Sequence, residues 1–475
     1  MNLFSAPTIL KEMADTWDKD IIPELMRYIK IPNQSPQFDP HWKSNGYMDE
    51  AMQLIAAWCR KQPLRDMKLE VIQKEERTPL LLIEIPGSLE ETVLLYGHMD
   101  KQPEMKGWEN GLGPWKPVLR DHRLYGRGGA DDGYAVFAAL TAIAALQRHR
   151  IPHARIIVLI EASEESGSID LPFYLRQCRQ QIGSPNLVIC LDSGCANYDQ
   201  LWGTTSLRGL VDGKLTIAVL KEGLHSGVGS GVVPSPVTIL RQLLDRLENS
   251  RTGEVLLKEA TVAIPPFYMQ AAREMAQAVD AAFYSEYPFL SGVQPITPNT
   301  AELLLNKTWR PQLSVTGIDG LPASQAAGNV TIPDISVTLS LRLPPTCAAE
   351  KASLALKALL EKDPPFGAKV SFTPRSAGPG WKAPEQSPWL AEAIEQASQQ
   401  FYGKPAAYMG EGGSIPFMGM LGKMFPKAQF FITGVLGPRA NAHGPNEFLH
   451  IPMVKKLTGC ISSLLCAHGT TNRHL

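Results

Sequence analysis

Four apolar stretches of this chain each run into a histidine or an acid, and that pattern limits what the chain can fold into more than any other. Residues 156–160, Ile-Ile-Val-Leu-Ile, read as a buried strand. They lead into Glu161-Ala162-Ser163-Glu164-Glu165-Ser166-Gly167-Ser168. Residues 92–96 run into Gly97-His98-Met99-Asp100, residues 187–191 into Asp192-Ser193-Gly194, and Leu124-Tyr125 through glycines to Ala130-Asp131-Asp132. Strands buried side by side in an α/β sheet bring such ends to one edge, where open sheets bind their ligands. Adjacent carboxylates repel one another and persist most easily beside a divalent cation. The expected site is therefore a carboxylate-rich metal centre holding His98, Asp131, Glu164, Glu165 and Asp192. A further metal-type residue, His443, lies in the loop Asn441-Ala442-His443 before the final helix.

Spacing adds detail at His98. Alternate residues of an extended chain point the same way, so Asp100 can lie beside His98. A carboxylate accepting one imidazole N–H fixes the tautomer and turns the other nitrogen towards a metal.

Composition narrows the function classes. The chain has 475 residues and a net charge of -1, which offers nothing to nucleic acid or to an anionic membrane surface. The first twenty residues carry acids and no apolar core, unlike a signal peptide. The apolar run at 135–146 is too short to span a bilayer. Seven scattered cysteines without a Cys-x-x-Cys pair read as reduced thiols of a cytoplasmic protein, with Cys190 and Cys195 as packing residues.

The order of elements predicts an insertion. Helices are expected between about residues 10 and 65, then a strand pair at 68–73 and 80–85, then the α/β pattern described above. From about residue 209 the texture changes to strand 211–220, helix 236–247, strands 312–316 and 329–343, helix 346–360 and strand 369–373. A helical stretch at about 254–286 interrupts it. This βαββαβ order is ferredoxin-like. The predicted organisation is a catalytic domain in two parts, 1–208 and 379–475, around an inserted domain at 209–378. The inserted domain carries His225 in the loop Gly223-Leu224-His225-Ser226-Gly227-Val228-Gly229-Ser230-Gly231, mobile, exposed and free of metal-type neighbours, so that it could act on a substrate instead. After residue 381 come a helix at 388–402 and the turn Gly410-Glu411-Gly412-Gly413-Ser414-Ile415-Pro416, which opens another helix and suits an anion.

Taken together, Gly97 to Asp100, Gly126 to Asp132, Glu164 to Ser168, Asp192, His225-Ser226-Gly227, Gly410 to Pro416 and Asn441-Ala442-His443 resemble, in order, the M20 zinc metallopeptidases, and within them the dipeptidase branch. The resemblance implies a mixed-sheet di-zinc hydrolase domain with an inserted lid and dimerisation domain. It implies two zinc ions per subunit, bridged by Asp131, with His98 and Asp192 on one and Glu165 and His443 on the other. Manganese or cobalt also suits these donors. Glu164 is then the general base, Asp100 orients His98, and the peptide bond after Asp131 is cis. Arg342, in Ser340-Leu341-Arg342-Leu343-Pro344, is implied to hold the free carboxylate of a small peptide substrate, with backbone help from Gly413 and Ser414. His225 is implied to enter the active site of the other subunit of a homodimer. The chain departs from the branch at Asp131-Asp132-Gly133-Tyr134, where the usual lysine is replaced by Gly133. An N-acyl-amino-acid amidohydrolase of the same family is the alternative activity. A non-catalytic binding protein would require a lost ligand or base, and every candidate is present.

Overall fold

The structure is a computed structural model and describes residues 5–279, 284, 287, 289–413 and 416–471. It divides into two compact units, one of residues Met1–Thr205, Ala383–Met409 and Met420–Leu475, the other of Ser206–Lys382 and Gly410–Gly419.

The first unit is built on a mixed sheet with strand order Lys68–Ile72, Leu80–Ile85, Ala154–Glu161, Leu89–His98, Leu187–Cys190, Gln429–Ile432 and Trp202–Leu207. Leu89–His98 runs parallel to both Ala154–Glu161 and Leu187–Cys190, and Leu187–Cys190 parallel to Gln429–Ile432. The apolar runs read from the sequence are these parallel strands. They are buried on both faces, which is why they show no alternation. Helices Ala6–Thr16, Ala135–Arg148, Pro388–Tyr402 and Ile451–Thr471 pack together in this unit. The Trp17 indole donates to Thr458 Oγ1 at 3.0 Å, tying the first helix to the last. The segment Gly129–Arg148 is apolar enough, by length and composition, to cross a membrane, a longer stretch than the sequence run suggests. All of that window is buried inside the protein, as a core helix is.

The second unit has a four-stranded antiparallel sheet ordered Gln312–Asp319, Asp334–Leu343, Gly209–Ala218, Lys369–Gly378. Helices Pro236–Leu247 and Ala349–Glu361 supply the crossovers, so in chain order the sheet reads 2-3-1-4, the ferredoxin-like arrangement expected. Gly209–Ala218 alternates buried and part-exposed residues, and its inward Val211, Leu215 and Ile217 join Ile239, Leu243 and Leu356 in this unit's core. The insertion between the first crossover helix and the second strand carries helices Pro266–Val279 and Thr300–Thr308.

Candidate metal centre

Because the three parallel strands point the same way, their C-terminal ends meet. His98 is the last residue of its strand, Glu164 and Glu165 follow the strand ending at Glu161, and Asp192 follows the strand ending at Cys190. Asp131 arrives differently from the expected route. No strand of the large sheet carries it; it lies in the glycine-rich loop before helix Ala135–Arg148, downstream of the short strand Arg123–Tyr125 of a separate three-stranded sheet. His443 comes from a loop in which Arg439, Asn441, His443 and Asn446 all have positive φ.

These residues converge on Asp131. Its Oδ1 lies 3.3 Å from His98 Nε2, and its Oδ2 lies 3.0 Å from His443 Nε2. Asp192 Oδ2 is 3.8 Å from His98 Nε2, and Glu165 Oε2 is 3.3 Å from His443 Nε2. Two overlapping groups, His98 with Asp131 and Glu165, and His98 with Glu164 and Asp192, hold their donor atoms within 4.8 Å of one another. Burial, and then the Asp192 charge, push Glu164 well above the usual carboxylate range; burial and then Asp131 do the same to Glu165. Asp192 is raised to about 6, by burial first. At Asp131 burial alone would raise the pKa, but the His443 and His98 imidazoles beside its two oxygens hold it well below the ordinary value. Glu165 Oε1 is buried and accepts no hydrogen bond. Oxygen and imidazole donors crowded at this separation, one of them an orphaned buried carboxylate oxygen, fit divalent cations.

The supporting contacts are as specific as the site. Asp100 is fully buried beside His98, its Oδ1 3.4 Å and its backbone O 3.1 Å from His98 Nδ1. Its carboxylate also accepts the Glu164 and Glu165 backbone N–H groups at 3.1 and 3.0 Å, so one aspartate positions both strand ends. The Asp131–Asp132 peptide bond is cis, as the resemblance implies. Asp132 Oδ2 accepts the His98 N–H at 3.1 Å, and only glycine at 97 leaves room, since a Cβ there would sit 2.6 Å from that oxygen.

Two residues that sequence reasoning passed over complete the frame. Arg127 and Glu447 form a buried ion pair at 2.6 Å. Glu447 Oε1 accepts the Gly128 N–H at 2.9 Å and the Ala130 and Asp131 N–H groups at 3.3 and 3.4 Å, while Arg127 donates to Gly444 O at 2.7 Å. The pair therefore ties the Asp131 loop to the His443 loop. The signal was available, since both lie within stretches singled out for their neighbours, but an ion pair across 320 positions leaves no local pattern.

The remaining expected residues belong to the second unit. His225 is exposed, and its Nδ1 accepts the Gly227 N–H at 3.1 Å. Arg342 is part-buried, with its pKa lowered by burial. Gly413 is exposed and its carbonyl accepts the Arg208 N–H at 3.0 Å. Ser414 lies outside the described residues.

Acids and histidines gathered around one shared carboxylate at the C-terminal edge of a mixed α/β sheet, with His443 on the exposed side, define a class: a metal-dependent hydrolase. The family follows from the length of the chain, because residues 94–467 match the model of peptidase family M20/M25/M40, and the chain belongs to that family. It is 26% identical over 424 residues to the cysteinylglycine-S-conjugate dipeptidase of Corynebacterium striatum, covering 87% of this chain and 90% of that one. Its fold is that of the dipeptidase Dug1p from Saccharomyces cerevisiae, with a TM-score of 0.77 at 21% identity over 99% of both chains. Human carnosine dipeptidase 1 matches with a TM-score of 0.75 at 18% identity, over 98% of both.

Proposed function

We propose that this protein is a metal-dependent dipeptidase that cleaves the peptide bond of small, unblocked peptides with two metal ions, zinc in the first place and manganese or cobalt as alternatives. The observation that carries the reading is the division of Asp131, whose Oδ1 faces His98 at 3.3 Å while Oδ2 faces His443 at 3.0 Å. In this reading His98, Asp131 and Asp192 would hold one ion, and Asp131, Glu165 and His443 the other. Bound ions supply Lewis acidity to the scissile carbonyl and lower the pKa of water. Glu164 takes the proton from the attacking water and passes it to the leaving amine. Asp100 holds His98 and the Glu164 backbone in register.

Arg342 is proposed to hold the substrate carboxylate, since a guanidinium pairs with it bidentately, with the Gly413–Ser414 turn adding backbone donors. His225 is proposed to act in the partner subunit of a homodimer. With Nδ1 accepting from Gly227, the ring proton sits on Nε2, ready to donate to a developing oxyanion. The strand Gln312–Asp319 is an open sheet edge with Val315 and Ile318 about half exposed, the kind of edge that a second copy covers. Seven free cysteines support a cytoplasmic location. Relatives named as dipeptidases favour this activity over N-acyl-amino-acid hydrolysis.

The test is a rate comparison of a free dipeptide, the same peptide amidated at its C-terminus, and an N-acetyl amino acid. The free dipeptide should be cleaved fastest and the amidated one poorly. Faster cleavage of the N-acetyl amino acid would select the amidohydrolase instead.

A further inference from the structure

The second unit contains a cavity of about 400 Å³ that no part of the account above uses. Its walls include Tyr284, Tyr287, Phe289 and Leu303, all from the helical insertion and the segment around it. Arg208 and Gln312 line it as well, and no Asp or Glu is among its described lining residues. The size is that of a small-molecule site, and so is the lining: apolar rings and a few polar groups.

One lining residue neighbours Arg342 in the sheet. Gln312 is the direct cross-strand partner of Arg342 in the antiparallel pair. Opposite residues of such a pair present their side chains on the same face, about 5 Å apart. Arg208, buried and fixed by the Gly412 carbonyl at 3.0 Å, is close enough to Arg342 for the two charges to repel. A residue whose carboxylate rests on Arg342 carries its side chain on the same α-carbon, within reach of this space.

We infer that the cavity receives the side chain of the substrate's C-terminal residue, and that it selects a large apolar or aromatic one. The inference rests on the proposed role of Arg342 as the carboxylate anchor. Phe289 is 44% exposed and Ile296 68% exposed, apolar surface that such a side chain would cover. Burying a phenyl group against these walls, where glycine buries nothing, favours Ala-Phe over Ala-Gly by on the order of tenfold or more in kcat/KM.

The experiment measures kcat/KM for Ala-Phe and Ala-Gly with the metal-loaded enzyme and two variants. Leu303→Trp fills the cavity and should lower kcat/KM for Ala-Phe far more than for Ala-Gly, so that the preference disappears. Phe289→Ala removes an exposed wall and should reduce the preference several-fold; it decides the matter if Leu303→Trp is inactive on both peptides. Equal cleavage of the two peptides by the wild type, or a preference that neither variant changes, overturns the inference and leaves the dipeptidase reading standing. Cleavage of neither peptide overturns the dipeptidase reading and this inference with it.

Discussion

At Asp131 the two carboxylate oxygens face different partners, and the adjacent glutamates differ in the same way. Asp100 holds both through their backbone, but the Glu165 carboxylate has His443 and Gln102 on it, at 3.3 and 2.6 Å, while the Glu164 carboxylate lies by His98 and Asp192. The consequence is separable. Glu164→Ala should keep metal bound and lose about 10²–10⁴-fold in turnover, the usual contribution of a general base. Glu165→Ala should instead lose metal, read by elemental analysis after dialysis. Near-normal turnover of Glu164→Ala would remove it from the mechanism. The Arg127–Glu447 pair carries a second prediction. Glu447→Gln keeps the shape but weakens the hold on the Asp131 loop, so metal affinity, measured by titration calorimetry on the metal-free protein, should fall about 10–100-fold. An unchanged affinity would make the pair purely structural. Asp100 beside His98 was legible from its spacing, but its hold on the Glu164 and Glu165 backbone and the Arg127–Glu447 pair were not, because these contacts reach backbone far along the chain. His98, Glu164, Glu165 and Asp192 were legible because each follows an apolar run.

Among the elements, the parallel strands were readable because burial on both faces leaves an unmistakable apolar run. The inserted sheet buries one face and exposes the other, which gave the alternation read at 211–220 and found at Gly209–Ala218. Helix Thr300–Thr308 was not readable. Leu303-Leu304-Leu305 are consecutive, and three apolar residues in a row show no helical period. The glycines around Asp131 serve the turn, and they also leave room for packed neighbours. At Gly133, where the dipeptidase branch has lysine, a Cβ would lie 2.3 Å from the Tyr28 ring and 2.5 Å from the Gly128 carbonyl. Tyr28 is itself fixed, its hydroxyl donating to the Met99 carbonyl and its ring 3.8 Å below the Lys101 ammonium. Gly133→Lys should therefore destabilise the protein by about 1–3 kcal/mol or more through overpacking. A melting temperature equal to wild type would show that the loop yields without cost.

For the whole molecule, the candidate metal residues belong to one compact unit, and His225, Arg342 and Gly413 to the other. The exposed edge strand and the outward-facing His225 give the proposed homodimer a specific test. Homodimers of His225→Ala and of Glu164→Ala should each be nearly inactive. After subunit exchange, activity should return, because one mixed site then joins a wild-type His225 to a wild-type Glu164. No recovery in proven heterodimers would confine His225 to its own chain or remove it from the reaction.

The central claim is that the residues gathered around Asp131 form a two-metal hydrolytic centre, and a metal titration tests it most directly. Chelator-treated protein is given increasing zinc while hydrolysis of a free dipeptide is followed. Activity should start near zero and rise to a plateau at two zinc ions per chain. Full activity without metal, or a plateau at one ion per chain, would contradict the claim.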